Sequence, residues 1–447
     1  MKKTIFFVLL LSFPFFGMAS PTRNNDDSCD ISVMPAATLL LPYFEVSHDG
    51  VITTLFTITN AGPKERIAHV TLWTDLGYPV LDFNIYLTGY DVQSINLYDV
   101  IWRGIIAPPN GTAPNLTPAG PFSVPNDELD VSNCGSEPSP IPEVLIARVL
   151  SALTLGRVPA GVDPACNSVG TLHTNAVGYA TIDIVRSCTT RNPTFNRYLT
   201  EDILWDNVLL GDYQQLDRTV VEGGRRNYTE GNPMVHIRAV SEGGTASERR
   251  SNPGQYEVTF HRTFYSRFLP DGNRTYDARQ PLPAIFAARW IGDGGHLDSR
   301  FKVWREGVVG PPACAAYRAN TMAFTDAVMF DENENAWSFE DPIIIDPPIF
   351  TDPALPLTSA FGHGDTNVLP RVTNQAIAGW VYFNLDNRNA DDYASQNWVI
   401  VTMRAENELS LDMDAAILGN GCTPPIGITE VSTENGEVIG PAANINP

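Results

Sequence analysis

The run Asp331-Glu332-Asn333-Glu334-Asn335 sets oxygen-bearing side chains at alternate positions, as the first half of a calcium loop does. Asp331, Asn333 and Asn335 are the candidate ligands, and calcium is the one cofactor this pattern suggests. The match departs from a full loop: Ala336 stands where a glycine would permit the sharp turn, and Pro342 where a bidentate glutamate would close the site. An acidic hairpin turn that keeps a sheet end soluble explains the same residues. Gly292-Asp293-Gly294-Gly295-His296-Leu297-Asp298 and Gly362-His363-Gly364-Asp365 each place an imidazole and a carboxylate on a glycine-rich loop. That setting suits acid–base work or metal ligation, and equally a plain turn. Trp73, Tyr78, Phe83, Tyr86 and Tyr90 would make a sugar-binding platform if exposed and a core if buried. Strand alternation favours the core.

Several chemistries are absent by inspection. None of the seven histidines is followed by glutamate, so no zinc-protease helix motif opens. No serine lies between glycines at minus two and plus two, which removes the strained nucleophile elbow. Beyond Lys2 and Lys3 the only lysines, Lys64 and Lys302, follow proline and phenylalanine, so no Gly-Lys phosphate loop exists. A scattered triad, or two carboxylates acting as acid and base, is recognised only in space and stays open.

Six cysteines, Cys29, Cys134, Cys166, Cys188, Cys314 and Cys422, are too widely spaced for a redox or zinc-knuckle pair. An even set in an exported chain reads as a disulfide framework. Fifteen connectivities are open; the pairing expected here is Cys134 with Cys166, Cys314 with Cys422, and Cys29 with Cys188. Export is expected from residues 1–19: Lys2 and Lys3, an apolar stretch from Thr4 to Phe16, then Gly17-Met18-Ala19 form a signal peptide. A polar leader follows over 20–37. No second stretch of ~18 apolar residues follows, so no integral membrane span is expected. The 29 basic and 51 acidic residues leave a net charge of −22, which repels phosphate backbones and makes nucleic acid an unsuitable partner.

The elements that must position any site are short strands. Thr53 to Thr59, Ile67 to Thr74, Val80 to Leu87 and Val92 to Leu97 alternate apolar and polar residues, with turn chemistry at Asn60-Ala61-Gly62-Pro63 and Asp75 to Pro79. The spacing predicts an antiparallel, immunoglobulin-like β-sandwich unit over 38–107; a barrel would give the same pattern. Prolines then interrupt 108–142, a linker that marks a boundary. Val144, Leu145, Val149, Ala152 and Leu153 share one helical face that ends at Gly156. With a strand at Gly178 to Val185 and a helix-leaning segment from Leu199 to Leu216, residues 143–250 read as a mixed α/β insertion or domain. Strands resume at Tyr256 to Phe264, Arg300 to Arg305, Ala327 to Phe330, Gly379 to Leu385 and Trp398 to Met403, giving a C-terminal β-sandwich unit over 251–422. A flexible tail completes the chain at 423–447. Arg300 to Arg305 followed by Ala327 to Phe339 echoes the first unit, where a strand leads to an aromatic strand, an acidic turn and another strand. That order suggests an internal duplication.

The blocks Leu40-Leu41-Pro42-Tyr43-Phe44-Glu45-Val46, Thr53 to Asn60, Val70 to Leu76 and Pro79 to Leu97, with Gly379 to Asn387, Met403 to Glu406 and Leu418 to Cys422, resemble a set of uncharacterised exported bacterial proteins. The likeness spans both ends of the chain and implies a bacterial exported protein, with no activity to carry over. The function expected is that of a secreted or surface-associated binding, adhesion or structural protein without catalysis, its partner an extracellular glycan or protein. The alternative is a hydrolase of extracellular polysaccharide using loop carboxylates.

Overall fold

A computed structural model describes residues 33–75, 77–106, 129–130, 140–158, 169–170, 172–193, 195, 197–221, 224–225, 228–239, 279–280, 282–283, 285–291, 297–305, 326–334, 336–338, 357–359, 378–384, 397–405, 409–419, 431–432 and 438–439. The chain is mainly β, built from antiparallel sheets stacked as β-sandwiches. The expected signal peptide, the strand at Tyr256 to Phe264 and the glycine-rich loops around His296 and His363 lie outside the described residues.

The first unit opens with β1 (Thr38–Val46), β2 (Ile52–Asn60), β3 (Arg66–Thr74), β4 (Pro79–Leu87) and β5 (Val92–Asn96). Two helices follow, α1 (Leu97–Arg103) and α2 (Glu143–Leu155). The Asn96 side chain caps α1 by accepting from the Tyr98 N–H, and Gly156, at φ 62, ends α2 where sequence placed its stop. Next come β6 (Ala176–Val185), a short π-helical turn at Tyr198–Asp202, and β7 (Leu209–Asp217). A two-residue hairpin, β8 (Val220–Val221) with β9 (Gly224–Arg225), precedes β10 (Tyr228–Pro233) and β11 (Val235–Ile237). One sheet has the order β11-β1-β6-β3-β4 and the other β10-β7-β2-β5. Leu39, Phe44, Val70 and Ile182 of the first meet Phe56 and Ile58 of the second in one core cluster. Val100 and Ile101 of α1, with Val149 and Leu153 of α2, join it.

This arrangement corrects the domain division read from sequence. Strands from 176–237 complete the same two sheets as those from 38–96, so neither 38–107 nor 143–250 is a unit by itself. The proline-rich segment returns to the same body, since Ile141 is buried in that core and its N–H donates to the Gly104 carbonyl at 2.7 Å. Leu199 to Leu216 is not one helix: it opens in the π-helical turn and its second half is β7, which gains nine register partners on β2, a pairing that overrides local propensity.

The second unit comprises β12 (Ile285–Ile291), β13 (Leu297–Arg305), β14 (Asp326–Asp331), β15 (Ala336–Ser338), β16 (Leu357–Ser359), β17 (Ala378–Asn384), β18 (Asn397–Ala405), β19 (Leu409–Asp414) and β20 (Ala416–Gly419). Its sheets run β20-β12-β17-β14-β15 and β19-β18-β13-β16. Setting aside the β8–β9 hairpin, strand for strand this is the order of the first unit. The registers agree in detail. Thr74 pairs with Gly178 and Trp73 with Tyr179; Asp331 pairs with Gly379 and Phe330 with Trp380. A Cβ on Gly178 would lie 2.1 Å from the Trp73 carbonyl oxygen, and one on Gly379 1.8 Å from that of Phe330. Both units therefore need glycine where two backbones touch. Beside each glycine two rings stack, Trp73 on Tyr179 and Phe330 on Trp380. The chain contains the same nine-stranded sandwich twice. In the tail, β21 (Val431–Ser432) and β22 (Val438–Ile439) form a separate two-stranded sheet.

The units meet through unlike faces. Trp304 of β13 packs into a cluster with Leu40, Trp73 and Tyr179, its ring edge-on to Tyr179 at 5.8 Å. Ile400 of β18 packs with Tyr43 and Val177. Lys302 places its Nζ 3.9 Å from the Tyr43 ring centroid and donates to Gln215 Oε1 at 3.1 Å, a cation–π contact between the units. The outward face of the second unit's four-stranded sheet thus covers part of the outward face of the first unit's five-stranded sheet.

Candidate binding face

Register places the most polar row of the first unit on the outward face of its five-stranded sheet. Thr38 faces Asp183, Asp183 faces His69, and His69 faces Asn84. Asp183 is fully buried. It accepts from Thr38 Oγ1 at 2.5 Å and Tyr198 Oη at 2.9 Å, and pairs with Arg279 at 3.2 Å. The Arg279 guanidinium also donates to Thr38 Oγ1 and lies over the Trp205 ring. Burial lowers the His69 pKa, against the Asn84 hydrogen bond and the Asp183 charge, which raise it. Its Nδ1–H donates to Asn84 Oδ1 at 2.9 Å. These are the groups of an acid–base centre, but the turn at Tyr198–Asp202 and the Arg279 segment close them from solvent. They act as a fixed polar seam.

A second imidazole–carboxylate pair joins His173 to Asp75 at 2.6 Å, with the Asp75 carboxylate buried and the ring partly exposed. Asp75 belongs to the β3–β4 turn, yet its carboxylate is buried and ties that turn to the segment after α2. His236 is buried and accepts from the Gly211 N–H at 3.1 Å. Burial pushes its pKa down to about 4, so the ring is neutral. None of these pairs was marked by spacing. Asp183 and His69 stand 114 positions apart and meet only through register.

At the candidate calcium turn, Asp331 Oδ1 accepts from the Asn333 N–H at 2.8 Å, and the Glu334 N–H donates to the Asp331 carbonyl. Glu332 leaves this cluster to pair with Arg289 at 2.5 Å. Asn335 lies outside the described residues. Among the described residues no three metal-ligating side chains converge. The turn is the counterpart of the β3–β4 turn, and its Asp331 carboxylate serves the hairpin. The aromatic set divides. Trp73 and Phe83 are buried, whereas Tyr90 is exposed at φ 57, an uncommon conformation for a side chain of its size. Cys188 is disulfide-bonded, and its partner lies among the five cysteines outside the described residues. No described helix is long and apolar enough to cross a membrane.

A concave surface among the described residues is open. The outward sides of β5, β2 and β7 carry Ser94, Thr57 and Asp212 in one row, and Asn96, Leu55 and Gln214 in the next. With Asp99, Arg103, Ile105 and Ile106 they line a hollow of about 440 Å³, within the range that holds a small ligand or part of a larger one. Thr57 Oγ1 donates to Asp212, and Arg103 pairs with Asp99 at 2.8 Å across one helical turn. The wall therefore offers hydroxyl, amide and compensated charged groups around an apolar floor. Compared with protein-family models, curated proteins and solved structures, the chain matches none.

Proposed function

We propose that this is a secreted or surface-associated, disulfide-stabilised bacterial protein that works by binding, adhesion or structure, without catalysis of its own. The open outward face of β5, β2 and β7 is its binding surface. One observation carries this reading: the accessible hollow is walled by hydrogen-bonding side chains, while Asp183, His69 and His236 are sealed inside the sheets. A ligand meets Ser94, Thr57, Asn96 and Gln214, groups that orient a partner without exchanging protons at neutral pH. The immunoglobulin-like character of each unit belongs to the same proposal. It is supported by the adjacency of β2 with β5 and of β3 with β6, the pairs expected of second with fifth and third with sixth strands; β7 takes the place that an immunoglobulin unit gives to its first strand.

The test is an array of glycans and matrix proteins probed with the mature protein, with and without calcium. Binding that is weakened at least tenfold in Ser94→Ala/Gln214→Ala supports the face; both side chains are exposed, so the fold is unaffected. Silence on the array, with hydrolysis of a labelled polysaccharide that Asp99→Asn or Asp212→Asn abolishes, establishes the hydrolase reading instead. That reading has one observation in its favour, two carboxylates in the same hollow.

A further inference from the structure

The duplication makes the contact between the units informative about what lies outside the molecule. Two different faces meet in it: the four-stranded outward face of the second unit and the five-stranded outward face of the first. Each unit owns one of each, so one of each is left over. The burial patterns show which. β1 is buried at every position but Glu45, whereas its counterpart β12 alternates, with Ala287 and Ile291 half-buried and Arg289 exposed. In β13 the outward Lys302 and Trp304 are buried like the inward Phe301, at 9%, 0% and 1% exposed, whereas in the counterpart β2 the outward Leu55, Thr57 and Thr59 stay partly exposed. The same strands are covered where the units touch and more exposed where they do not, although Phe330 and Tyr382 on the β12–β17 face are themselves buried.

We infer that the open β2–β7 face of one molecule docks on the partly open β12–β17 face of a second copy, repeating between molecules the contact the two units make within one. This rests on the reading of the β5-β2-β7 face as the binding surface and names its partner. The receiving face keeps its landmark, the Phe330–Trp380 stack, in the place where Trp73 and Tyr179 receive Trp304. The polar partners change in a compensating way. Within the molecule, the cation Lys302 lies over Tyr43, one of the bulged pair Pro42-Tyr43 that faces Tyr179. Between molecules the cation belongs to the receiver: Arg289, half-exposed and already paired with Glu332, faces Trp380 and has guanidinium surface left to share, and Asp212, in the row of Thr57, comes from the donor. The register sets Thr57 at the position of Lys302 and Asp212 at that of Ile400. Thr59 and Leu210 stand where the internal contact has Trp304 and Trp398. The external contact is thus more polar than the internal one, as reversible interfaces are relative to permanent ones. Because unlike faces meet, no two-fold axis closes the pair, and addition continues into a ring or an open filament.

Sedimentation velocity of the mature protein over a hundredfold concentration range tests this. The expected result is mass that grows past the dimer with concentration. Asp212→Arg and Arg289→Asp should each hold the protein at the mass of a single chain. An equimolar mixture of the two variants should restore growth, because each now presents the charge the other lacks. Thr59→Trp/Leu210→Trp, which recreates the aromatic pair of the internal contact, should assemble at least tenfold more tightly. Growth that is indifferent to both reversals, or a wild-type protein of single-chain mass throughout that the tryptophan pair leaves unchanged, overturns the inference. If that single-chain protein still captures an array ligand through Ser94 and Gln214, the face reading stands and only the second copy is wrong as its occupant.

Discussion

Replacing Arg279 by methionine should be among the most damaging single changes in this chain. The Arg279 and Asp183 side chains are 1% and 0% exposed, and the pair is 3.2 Å apart. Removing the cation takes away the charge that faces the buried Asp183 carboxylate. Breaking a buried pair from one side costs about 3–5 kcal/mol, against a total stability of about 5–15 kcal/mol for a folded domain. Tyr198→Phe removes one hydrogen bond to a charged acceptor and should cost less, about 1.5–3 kcal/mol. Replacing both charges, in Asp183→Leu/Arg279→Met, removes the uncompensated carboxylate and should recover most of the loss, since an apolar pair of similar volume is often neutral or better. Urea unfolding followed by tryptophan fluorescence reads all three, because Trp73 and Trp304 sit in the adjoining cluster. With m near 1–3 kcal/mol per molar urea, the single variant should lose at least about 1 M in midpoint. An Arg279→Met midpoint indistinguishable from wild type, or a double variant no better than the single, refutes the account of this seam as a high-stakes ion pair.

Two further outcomes follow from geometry. His236 has its pKa depressed by burial from 6.5 to about 4, so between those values the unfolded chain binds a proton that the folded chain does not. Stability should therefore fall as pH drops from about 6.5 towards 4, by up to roughly 3 kcal/mol, and His236→Gln should flatten that part of a pH series of thermal melts. Gly178→Ala and Gly379→Ala should both destabilise, because a methyl group at either site overlaps the facing backbone carbonyl oxygen; expressing each variant and comparing melting temperatures checks that the two units share one requirement.

Much of the architecture was legible because a half-buried strand writes its period into the chain. β2, β4 and β5 alternate along their length, and the apolar face of α2 together with Gly156 marked a helix and its stop. The order of strand, aromatic strand, acidic turn and strand in both halves announced the duplication that the sheet orders display. The partition into domains was less legible. Prolines between 108 and 142 resemble a linker, but chain punctuation records where a ladder stops, not whether the chain returns to the same core. Ile141 returns. β7 was misread because Leu209 to Asp217 carries its strand character through pairing with β2 and β10, and pairing partners are remote in sequence.

The candidate sites divide along the same line. Sequence could name Asp331, Asn333 and Asp75 because acidic turns are local, but whether their oxygens face an ion, solvent or a neighbouring backbone depends on atoms far along the chain. By itself the sequence determined that the protein is made of short antiparallel strands and that it lacks phosphate-loop, nucleophile-elbow and zinc-helix chemistry. Each of these is a property of neighbouring residues. Only the tertiary structure decided that Asp183 meets Arg279 across 96 positions, that two copies of one sandwich join through unlike faces, and that the β5-β2-β7 face remains open. Register and sheet stacking bring distant residues together, and no local pattern encodes which face another part of the molecule will cover.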